Sequence, residues 1–267
     1  MLRDIHSLWI GERLGPLEEL CLCSFVKQGH KVFLHSYKKF DLPNGVIAID
    51  ANELIPEDQI IRYKRNRSVA LFANRYRYEI LRNYDVYWAD ADIFCMRPFD
   101  FEEPYVFGID TIVEGRPVIN NCVLRAPYDS ELLRNLLEPF NKPRSALRFL
   151  STKQKIKSIS THIKSFKRLS LECLPWGTTG PIALTYLAND LGLMQYALPK
   201  NAFAELKKLR LFEENFNWID TVNNNATYAA HFTQSKLGSK PVDLTKPLPG
   251  SFYEYCVKEV GSMTNYF

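Results

Sequence analysis

The sequence contains no long apolar run, and none approaches the roughly 18 consecutive apolar residues of a membrane-spanning helix. Its first residues, MLRDIHSLWIG, are too charged and too short in apolar length for a signal peptide, so we expect a cytoplasmic protein. The six cysteines include no C-x-x-C pair and stand mostly beside Leu, Phe or Val, which is typical of buried thiols. We therefore expect neither disulfides nor a zinc site.

Acidic residues are missing from one segment, residues 142–168, which contains nine Lys or Arg and no Asp or Glu. The whole chain has 34 basic and 30 acidic residues, so the remainder has 25 basic residues and a net charge of about −5. Apolar residues in the segment recur at steps of three and four, at Ile156, Ile159, Ile163 and Phe166. This spacing, with basic residues around it, predicts a basic amphipathic helix.

Three uses of that basic helix are compatible with its pattern. It could pack on the protein body with its charged face in water. It could instead dock on an anionic membrane surface, where each Lys or Arg contributes on the order of 1 kcal/mol. Nucleic acid is the least favoured partner, because the segment lacks the interleaved aromatic side chains that stack on bases. We expect no nucleic-acid partner.

The rest of the 267 residues, with 46% hydrophobic and 13% aromatic residues overall, suits a globular α/β protein. Short apolar segments alternate with helical patterns. Strands are predicted at 5–10, 31–37, 45–50, 85–90, 105–110 and 118–126, and helices at 16–28, 68–83, 129–138 and 181–191. The alternation predicts one domain over residues 1–267 with a mostly parallel central sheet and a basic helical insertion at 142–171. Ligands of such sheets bind beyond the carboxyl ends of the strands.

The stretch YWADADIFC, residues 87–95, places Asp90 and Asp92 inside an apolar run. An ionised carboxylate in a buried strand loses its hydration and needs a partner, and two neighbouring carboxylates also repel each other. The pair therefore predicts a strand end, a bound cation, or both. Alternate residues of an extended strand project to one side, so both carboxylates could face one divalent ion. Such an ion can take up the charge of a leaving diphosphate.

The segment ANRYRYEILRNYDVYWADADIFCMRPFD, residues 73–100, resembles the DXD segment of GT-A fold glycosyltransferases. The similarity is to family 32 and its relatives among capsular polysaccharide synthesis enzymes and the glucosylating clostridial toxins. Their pattern is a helix with Ser-Asp-x-x-Arg-Tyr, a strand that ends in Asp-x-Asp, and then a Pro. The matching positions here are Ala73-Asn74, Arg77-Tyr78, Asp90-Ala91-Asp92 and Pro98. Asn74 replaces the usual acid, and Asp85-Val86 replaces a Gly-Gly.

Three further stretches resemble the same family in order and spacing. IHSLWIG is similar to its opening strand, which implies that Trp9 lies by the nucleotide base. TTGPIALT resembles its Thr-Gly-Pro turn and places Gly180 in the donor site. AHFTQS resembles its late His-x-x-x-Ser element, which implies that His231 and Ser235 come to the metal and the diphosphate.

The resemblance implies a retaining hexosyltransferase with a Rossmann-like GT-A fold that uses Mn²⁺ or Mg²⁺. The donor would be a nucleoside diphosphate sugar, with a UDP-sugar favoured, and the acceptor a glycan or lipid-linked glycan in capsule, lipopolysaccharide or other surface polysaccharide synthesis. Asp92 would bind the metal directly, and Asp90 would orient the ribose or donor sugar and complete the metal shell. Arg77 would stabilise the donor, beside Asn74 and Tyr78.

Neighbouring amides at Asn120 and Asn121, at a predicted strand end in VINNCVL, suit sugar hydroxyls or form a simple turn. No protein nucleophile is assigned, because Asp110, Glu114 and Asn121 are not distinguished by the sequence. The basic helix would bring the enzyme to a lipid-linked acceptor at the inner face of the cytoplasmic membrane, or it would act as a flap over the acceptor site.

Two other classes of protein remain as alternatives. A haloacid-dehalogenase-type phosphatase also has Asp-x-Asp at a strand end, but near the N-terminus and followed by Thr or Val, whereas Ile93 follows here. A non-catalytic protein that binds nucleotide sugars or membranes through a degenerate transferase fold is suggested by Asn74 and Asp85-Val86.

Overall fold

The computed structural model describes residues 2–164, 169–205, 226–233 and 243–267. The fold is mixed α/β with a mostly parallel central sheet of seven strands, which confirms the predicted fold class. The strands are β1 Ile5–Trp9, β2 Val32–Ser36, β3 Val46–Asp50, β4 Tyr87–Ala89, β5 Ile93–Cys95, β6 Val106–Val113, β7 Arg116–Arg125, β8 Ala197–Leu198, β9 Phe203–Glu205 and β10 Ala229–His231. The helices are α1 Pro16–Lys27, α2 Ala70–Asn83, α3 Glu131–Asn141, α4 Thr152–Lys164, α5 Pro181–Asp190 and α6 Phe252–Val260.

The chain divides into two compact units. The first comprises Met1–Ala51, Val86–Glu102 and Leu198–Phe267, and the second comprises Asn52–Asp85 and Glu103–Ala197. That the whole of residues 1–267 acts as a single catalytic domain stays a prediction.

In the first unit, β3, β2, β1 and β4 lie side by side in that order, and every neighbouring pair is parallel. Ile5 of β1 pairs with Val32 of β2 on one side and with Tyr87 of β4 on the other. All three residues are buried, because strands of a parallel sheet are covered on both faces. The carboxyl ends of the four strands consequently meet at one edge.

A second sheet of the first unit has the order β5, β10, β9. Strand β10 runs antiparallel to β5 and parallel to β9. An aromatic cluster that includes Phe94, Phe232 and Phe252 packs this sheet against α1 and α6. Helix α6 begins after Ser251, whose hydroxyl accepts a hydrogen bond from the Glu254 N–H. Neither α6 nor this sheet was predicted from the sequence.

In the second unit, β6 and β7 form an antiparallel hairpin, with helices α2, α3 and α5 in the same unit. Helix α3 begins after Ser130, whose hydroxyl accepts from the Leu133 N–H, and α5 begins at Pro181, where no backbone N–H is needed. The sequence predicted both helices and both strands near their observed positions.

Helix α4 confirms the predicted basic helix. Two of its apolar residues do not face inward, however: the side chains of Ile156 and Ile159 are 64% and 42% exposed, whereas Ser158 is buried. The interpretation as an apolar stripe packed on the protein body is therefore wrong at Ile156 and Ile159. The side chain of Ile163 and all of Phe166 lie outside the described residues.

Within the part of the chain that the structure describes, no helix combines the length and the apolar character needed to cross a bilayer. The six cysteines are free thiols, and all except Cys173 are buried, as their apolar neighbours in the sequence indicated.

Candidate functional site

The Asp-x-Asp stretch lies at the carboxyl end of a buried strand, as predicted. Strand β4 ends at Ala89, which is 1% exposed, and both carboxylates that follow are partly exposed. The backbone N–H of Ile93 donates to the carbonyl of Asp90 over 3.1 Å, so residues 90–93 form a hydrogen-bonded turn. The expectation that both carboxylates project from extended backbone is therefore wrong, because the chain reverses between β4 and β5.

A buried tryptophan fixes the orientation of Asp90. The indole N–H of Trp88 donates to Oδ1 of Asp90 over 2.7 Å, and the Trp88 side chain is 1% exposed. Asp90 follows the last residue of β4 directly, so its carboxylate lies within reach of the Trp88 ring two residues earlier. A rigid donor held in the core leaves this carboxylate little freedom to rotate.

Asp92 meets a histidine from a distant part of the chain. Strand β10 pairs with β5 so that His231 lies opposite Ile93, and the Phe232 N–H donates to the carbonyl of Asp92 over 3.0 Å. This pairing places Nε2 of His231 3.4 Å from Oδ1 of Asp92. Both side chains are mostly buried, at 10% and 17% exposure. The structure thus brings together two of the residues that the resemblance implied.

Asp92 and His231 fit a divalent ion as a pair of ligands. Carboxylate oxygen suits Mn²⁺ and Mg²⁺, and neutral imidazole nitrogen is the commonest side-chain ligand of metal ions in proteins. Among the described residues, however, no group of three or more His, Cys, Asp or Glu side chains is arranged to hold a metal. Oδ1 of Asp90 accepts a hydrogen bond from Trp88, and the role of Asp90 in the metal shell stays a prediction. An ion here would need further ligands such as water or diphosphate oxygens.

Trp9 ends β1 at the same sheet edge. Its register partner on β2 is Ser36, and β1 is the direct neighbour of β4, so the indole stands at the edge where Asp90 follows β4. The indole N–H donates to the carbonyl of Arg13 over 2.8 Å, which holds the partly exposed ring against the following turn. A Cβ at Gly11 would lie only 2.8 Å from the indole nitrogen, so the turn needs glycine there.

The second unit contains a buried polar network centred on Asn74. Its Oδ1 accepts from Nη1 of Arg77 over 2.7 Å and from Nδ2 of Asn121 over 2.9 Å. Its own Nδ2 donates to Oγ1 of Thr179 over 3.3 Å. Arg77 is 3% exposed, so a positive charge lies inside the unit with the Asn74 amide as an acceptor. Helix α2, strand β7 and the turn before α5 are joined by this network.

Tyr78 and Gly180 also contact residues of this network. The Tyr78 hydroxyl donates to the carbonyl of Thr179 over 2.9 Å, and burial raises the pKa of Tyr78 to about 12, so the phenol stays protonated at neutral pH. A Cβ at Gly180 would lie 2.7 Å from Nδ2 of Asn74. The close approach of the turn to Asn74 therefore requires glycine.

Asn120 and Asn121 do not act as one pair of amides. They lie inside β7 rather than at a strand end or in a turn, and consecutive strand residues face opposite sides. Asn121 joins the buried network, whereas Nδ2 of Asn120 is 3.4 Å from Oδ1 of Asp110 on β6. The pairing of β6 with β7 shifts register next to this point. The structure therefore distinguishes the two carboxylates that the sequence did not. Asp110 contacts Asn120, whereas Glu114 lies in the exposed hairpin turn.

Sequence reasoning missed the role of Trp88 as the anchor of Asp90, although its i, i+2 spacing from Asp90 was a usable signal. It also missed the contact between Asp110 and Asn120, because the antiparallel register was not predicted. Ser235 lies outside the described residues, so its predicted place beside the diphosphate stays a prediction.

Comparisons with known proteins agree with the fold. No model of a known protein family matches the sequence, and no curated protein sequence matches it either. The structure is similar to that of apo WbbM, a bifunctional glycosyltransferase, with a TM-score of 0.53 and 7% identity over 98% of this chain. The chain spans 50% of the WbbM chain, about half its length.

Two other solved structures give weaker matches. LgtC, a galactosyltransferase in complex with donor and acceptor sugar analogs, has a TM-score of 0.46 and 11% identity over 98% of this chain and 96% of its own. GlyE, a glycosyltransferase in Streptococcus pneumoniae TIGR4, has a TM-score of 0.43 and 14% identity over 97% of this chain and 60% of its own. Since both scores are below 0.5, the structural likeness rests on WbbM and concerns the fold alone. Membership of family 32 stays a prediction.

Proposed function

We propose that the chain is a metal-dependent glycosyltransferase that moves a hexose from a nucleoside diphosphate sugar, most readily a UDP-sugar, to a glycan acceptor with retention of configuration. The observation that carries the proposal is the Asp92 and His231 pair, next to the anchored carboxylate of Asp90, at the carboxyl edge of parallel strands. That edge is where α/β sheets bind nucleotides.

Residues at the Asp-x-Asp turn would hold the diphosphate of the donor. Asp92 and His231 would ligate Mn²⁺ or Mg²⁺, which supplies Lewis-acid stabilisation of a leaving diphosphate when bound. Asp90, already oriented by Trp88, would accept hydrogen bonds from the ribose or the donor sugar. The partly exposed face of Trp9 would stack on the base.

The family resemblance implies a donor-stabilising role for Arg77, and we include that role in the proposal. Arg77 is a buried cation whose Nη1 donates to Asn74, and Asn74 in turn accepts from Asn121. Tyr78 and Gly180 set the geometry of the turn that contacts Asn74. Retention needs no protein nucleophile if the leaving phosphate assists attack on the same face, and we assign none.

The biological setting is part of the same proposal. We assign the acceptor to the glycans or lipid-linked glycans of surface polysaccharide synthesis, such as capsule or lipopolysaccharide. A cytoplasmic enzyme peripheral to the inner face of the membrane would meet a lipid-linked acceptor there. The family resemblance supports this setting, and the exposed basic helix α4 is compatible with it.

Ligand-induced thermal stabilisation tests the donor proposal directly. The folded protein is heated with a panel of nucleoside diphosphates and their sugars, each with and without Mn²⁺. A specific ligand at a hundred times its dissociation constant adds about 2.7 kcal/mol to the unfolding free energy, which is a readily measured shift in Tm. We expect one nucleoside diphosphate to stabilise the protein only in the presence of Mn²⁺. We also expect the protein to hydrolyse the corresponding nucleoside diphosphate sugar slowly when no acceptor is present.

Replacing Asp92 by Asn should abolish the metal-dependent part of that shift and reduce donor hydrolysis by at least about 100-fold, because a positioned carboxylate ligand is lost while the side-chain shape is kept. Asp41→Asn, at an exposed position, is the matched control and should behave like the unaltered protein. Unchanged donor hydrolysis in Asp92→Asn would refute the assignment.

The same assay separates the alternatives. Metal-dependent binding without hydrolysis or transfer to any acceptor would identify a non-catalytic nucleotide-sugar-binding protein. Hydrolysis of phosphate monoesters with no response to nucleotides would favour a phosphatase.

A further inference from the structure

Helix α4 presents apolar and basic side chains together on its outer side. We call Lys153, Ile156, Lys157 and Ile159, which are all exposed, the α4 outer face. Ser158, the buried residue of this helix stretch, is 8% exposed. At about 100° per residue, Ile156 lies roughly 200° around the helix from Ser158, on the opposite side. Ile156 therefore faces water opposite the buried serine, and Ile159, about 100° from Ser158, is exposed at the side of the helix.

This orientation is the reverse of the usual one for a surface helix. A surface helix normally turns its apolar stripe to the core and its polar side to water. Exposed isoleucines bordered by charged residues instead mark a surface that contacts something else. Since Ile156 is 64% exposed, little of its apolar surface is covered by the protein itself.

The charge of the segment indicates what covers this surface. Residues 142–168 carry nine basic and no acidic residues. Lys142 and Arg148 form ion pairs with Glu138 of α3, so part of the positive charge of the segment is paired within the protein. The lysines of α4 border the isoleucines directly. No aromatic side chain lies in residues 152–160 to stack on bases, which argues against nucleic acid.

We propose that the α4 outer face docks on an anionic lipid bilayer. Ile156 and Ile159 would enter the boundary between headgroups and acyl chains, and Lys153 and Lys157 would lie among the anionic headgroups. A bilayer supplies both parts of this match, an apolar layer and a negative surface, next to each other. The inference depends on α4 alone and stands whether or not the chain transfers sugars.

Vesicle co-sedimentation of the full chain tests the proposal. Vesicles of phosphatidylcholine with about a third phosphatidylserine are compared with pure phosphatidylcholine, at low and at high salt. We expect binding to the anionic vesicles alone, and its loss at high salt. Lys153→Gln with Lys157→Gln should weaken it about 25-fold, at about fivefold per lysine, without loss of helix propensity.

Two control variants make the comparison specific. Lys38→Gln with Lys39→Gln removes the same charge from another exposed site and should leave binding within about twofold. Ile156→Gln with Ile159→Gln should weaken binding about tenfold or more even at low salt. Leu248→Gln, which changes a comparably exposed apolar residue at 43% exposure, should not.

Several results would overturn the proposal. These are equal binding to neutral vesicles, no sedimentation with anionic vesicles at low salt, and equal losses in the α4 and control variants. A dimer that the α4 isoleucine variant dissociates, in protein that binds no vesicles, would assign the face to a second copy of the chain instead.

Discussion

The amide of Asn74 donates and accepts hydrogen bonds inside the second unit, and this dual capacity explains why an amide suits the position. Its oxygen accepts from Arg77 and Asn121, while its nitrogen donates to Thr179. A carboxylate could accept the first two bonds but could not donate the third. The departure of Asn74 from the acid of the family pattern thus has a local physical cause, and it does not by itself indicate a degenerate site.

Truncation of Asn74 should be strongly destabilising. Asn74→Ala leaves the buried Arg77 and Asn121 donors without this acceptor, which should lower the unfolding free energy by about 3 kcal/mol because one of the donors is charged. Asn83→Ala is the control at an exposed position on the same helix and should change it by less than about 0.5 kcal/mol. Urea denaturation of both variants measures the difference. Equal stabilities would show that the network contributes nothing.

Among the elements, the hairpin of β6 and β7 has the clearest link between sequence and backbone. Its two-residue turn, Glu114-Gly115, has φ values of 50° and 75°. Positive φ at both central residues defines the turn type that matches strand twist and favours Asn-Gly. Gly115 meets this requirement, but Glu114 pays a steric penalty that Asn would reduce.

Replacing Glu114 by Asn should therefore raise the unfolding free energy by about 0.5 kcal/mol, since Asn adopts positive φ more readily. Gly115→Ala should act in the opposite direction and lower it by about 1 kcal/mol, because alanine is strained at this φ. Thermal denaturation of the two variants provides the measurement. A Glu114→Asn variant less stable than the unaltered protein would contradict the assigned turn.

Sequence patterns predicted the long elements well and the short ones poorly. The apolar period and the end signals can be recognised in the sequence of the longer elements, which include helices α2 and α5 and strands β1 to β3. Strands β5 and β10 have three residues each, too few to show a period, and their pairing joins segments more than 130 residues apart. The contact between Asp92 and His231 depends on that pairing, so the family resemblance, rather than periodicity, suggested it.

On the scale of the whole molecule, alternating strands and helices were sufficient to predict the α/β class. The position of Asp90 at a strand end was predicted separately, from the free-energy cost of burying a carboxylate. The turn at residues 90–93 was not predictable in the same way, because an alternating pattern describes extended chain and contains no information on reversal. The exposed orientation of α4 was also left open, since a helical period gives the spacing of a stripe and not the direction in which it faces.

The stability of the folded chain should depend on pH through a buried histidine pair. Nδ1 of His6 on β1 is 2.8 Å from Nε2 of His35 on β2, so one ring donates to the other. Burial lowers the pKa of His6 to about 4, partly offset by Asp4, and burial together with His6 lowers the pKa of His35 to about 3. His6 also stacks on Phe33. Both rings are therefore neutral in the folded protein throughout the mildly acidic range.

The sign of the effect follows from proton binding. The unfolded chain binds protons at these histidines near pH 6.5 and the folded chain does not, so the unfolding free energy is greatest above pH 6.5 and falls as the pH is lowered towards 4. Each histidine should account for about 1 kcal/mol between pH 7 and 5.5. Urea denaturation at these two pH values tests this, and in His35→Gln the decrease should be smaller by about that amount. An identical decrease in His35→Gln would exclude His35 as a source of the pH dependence.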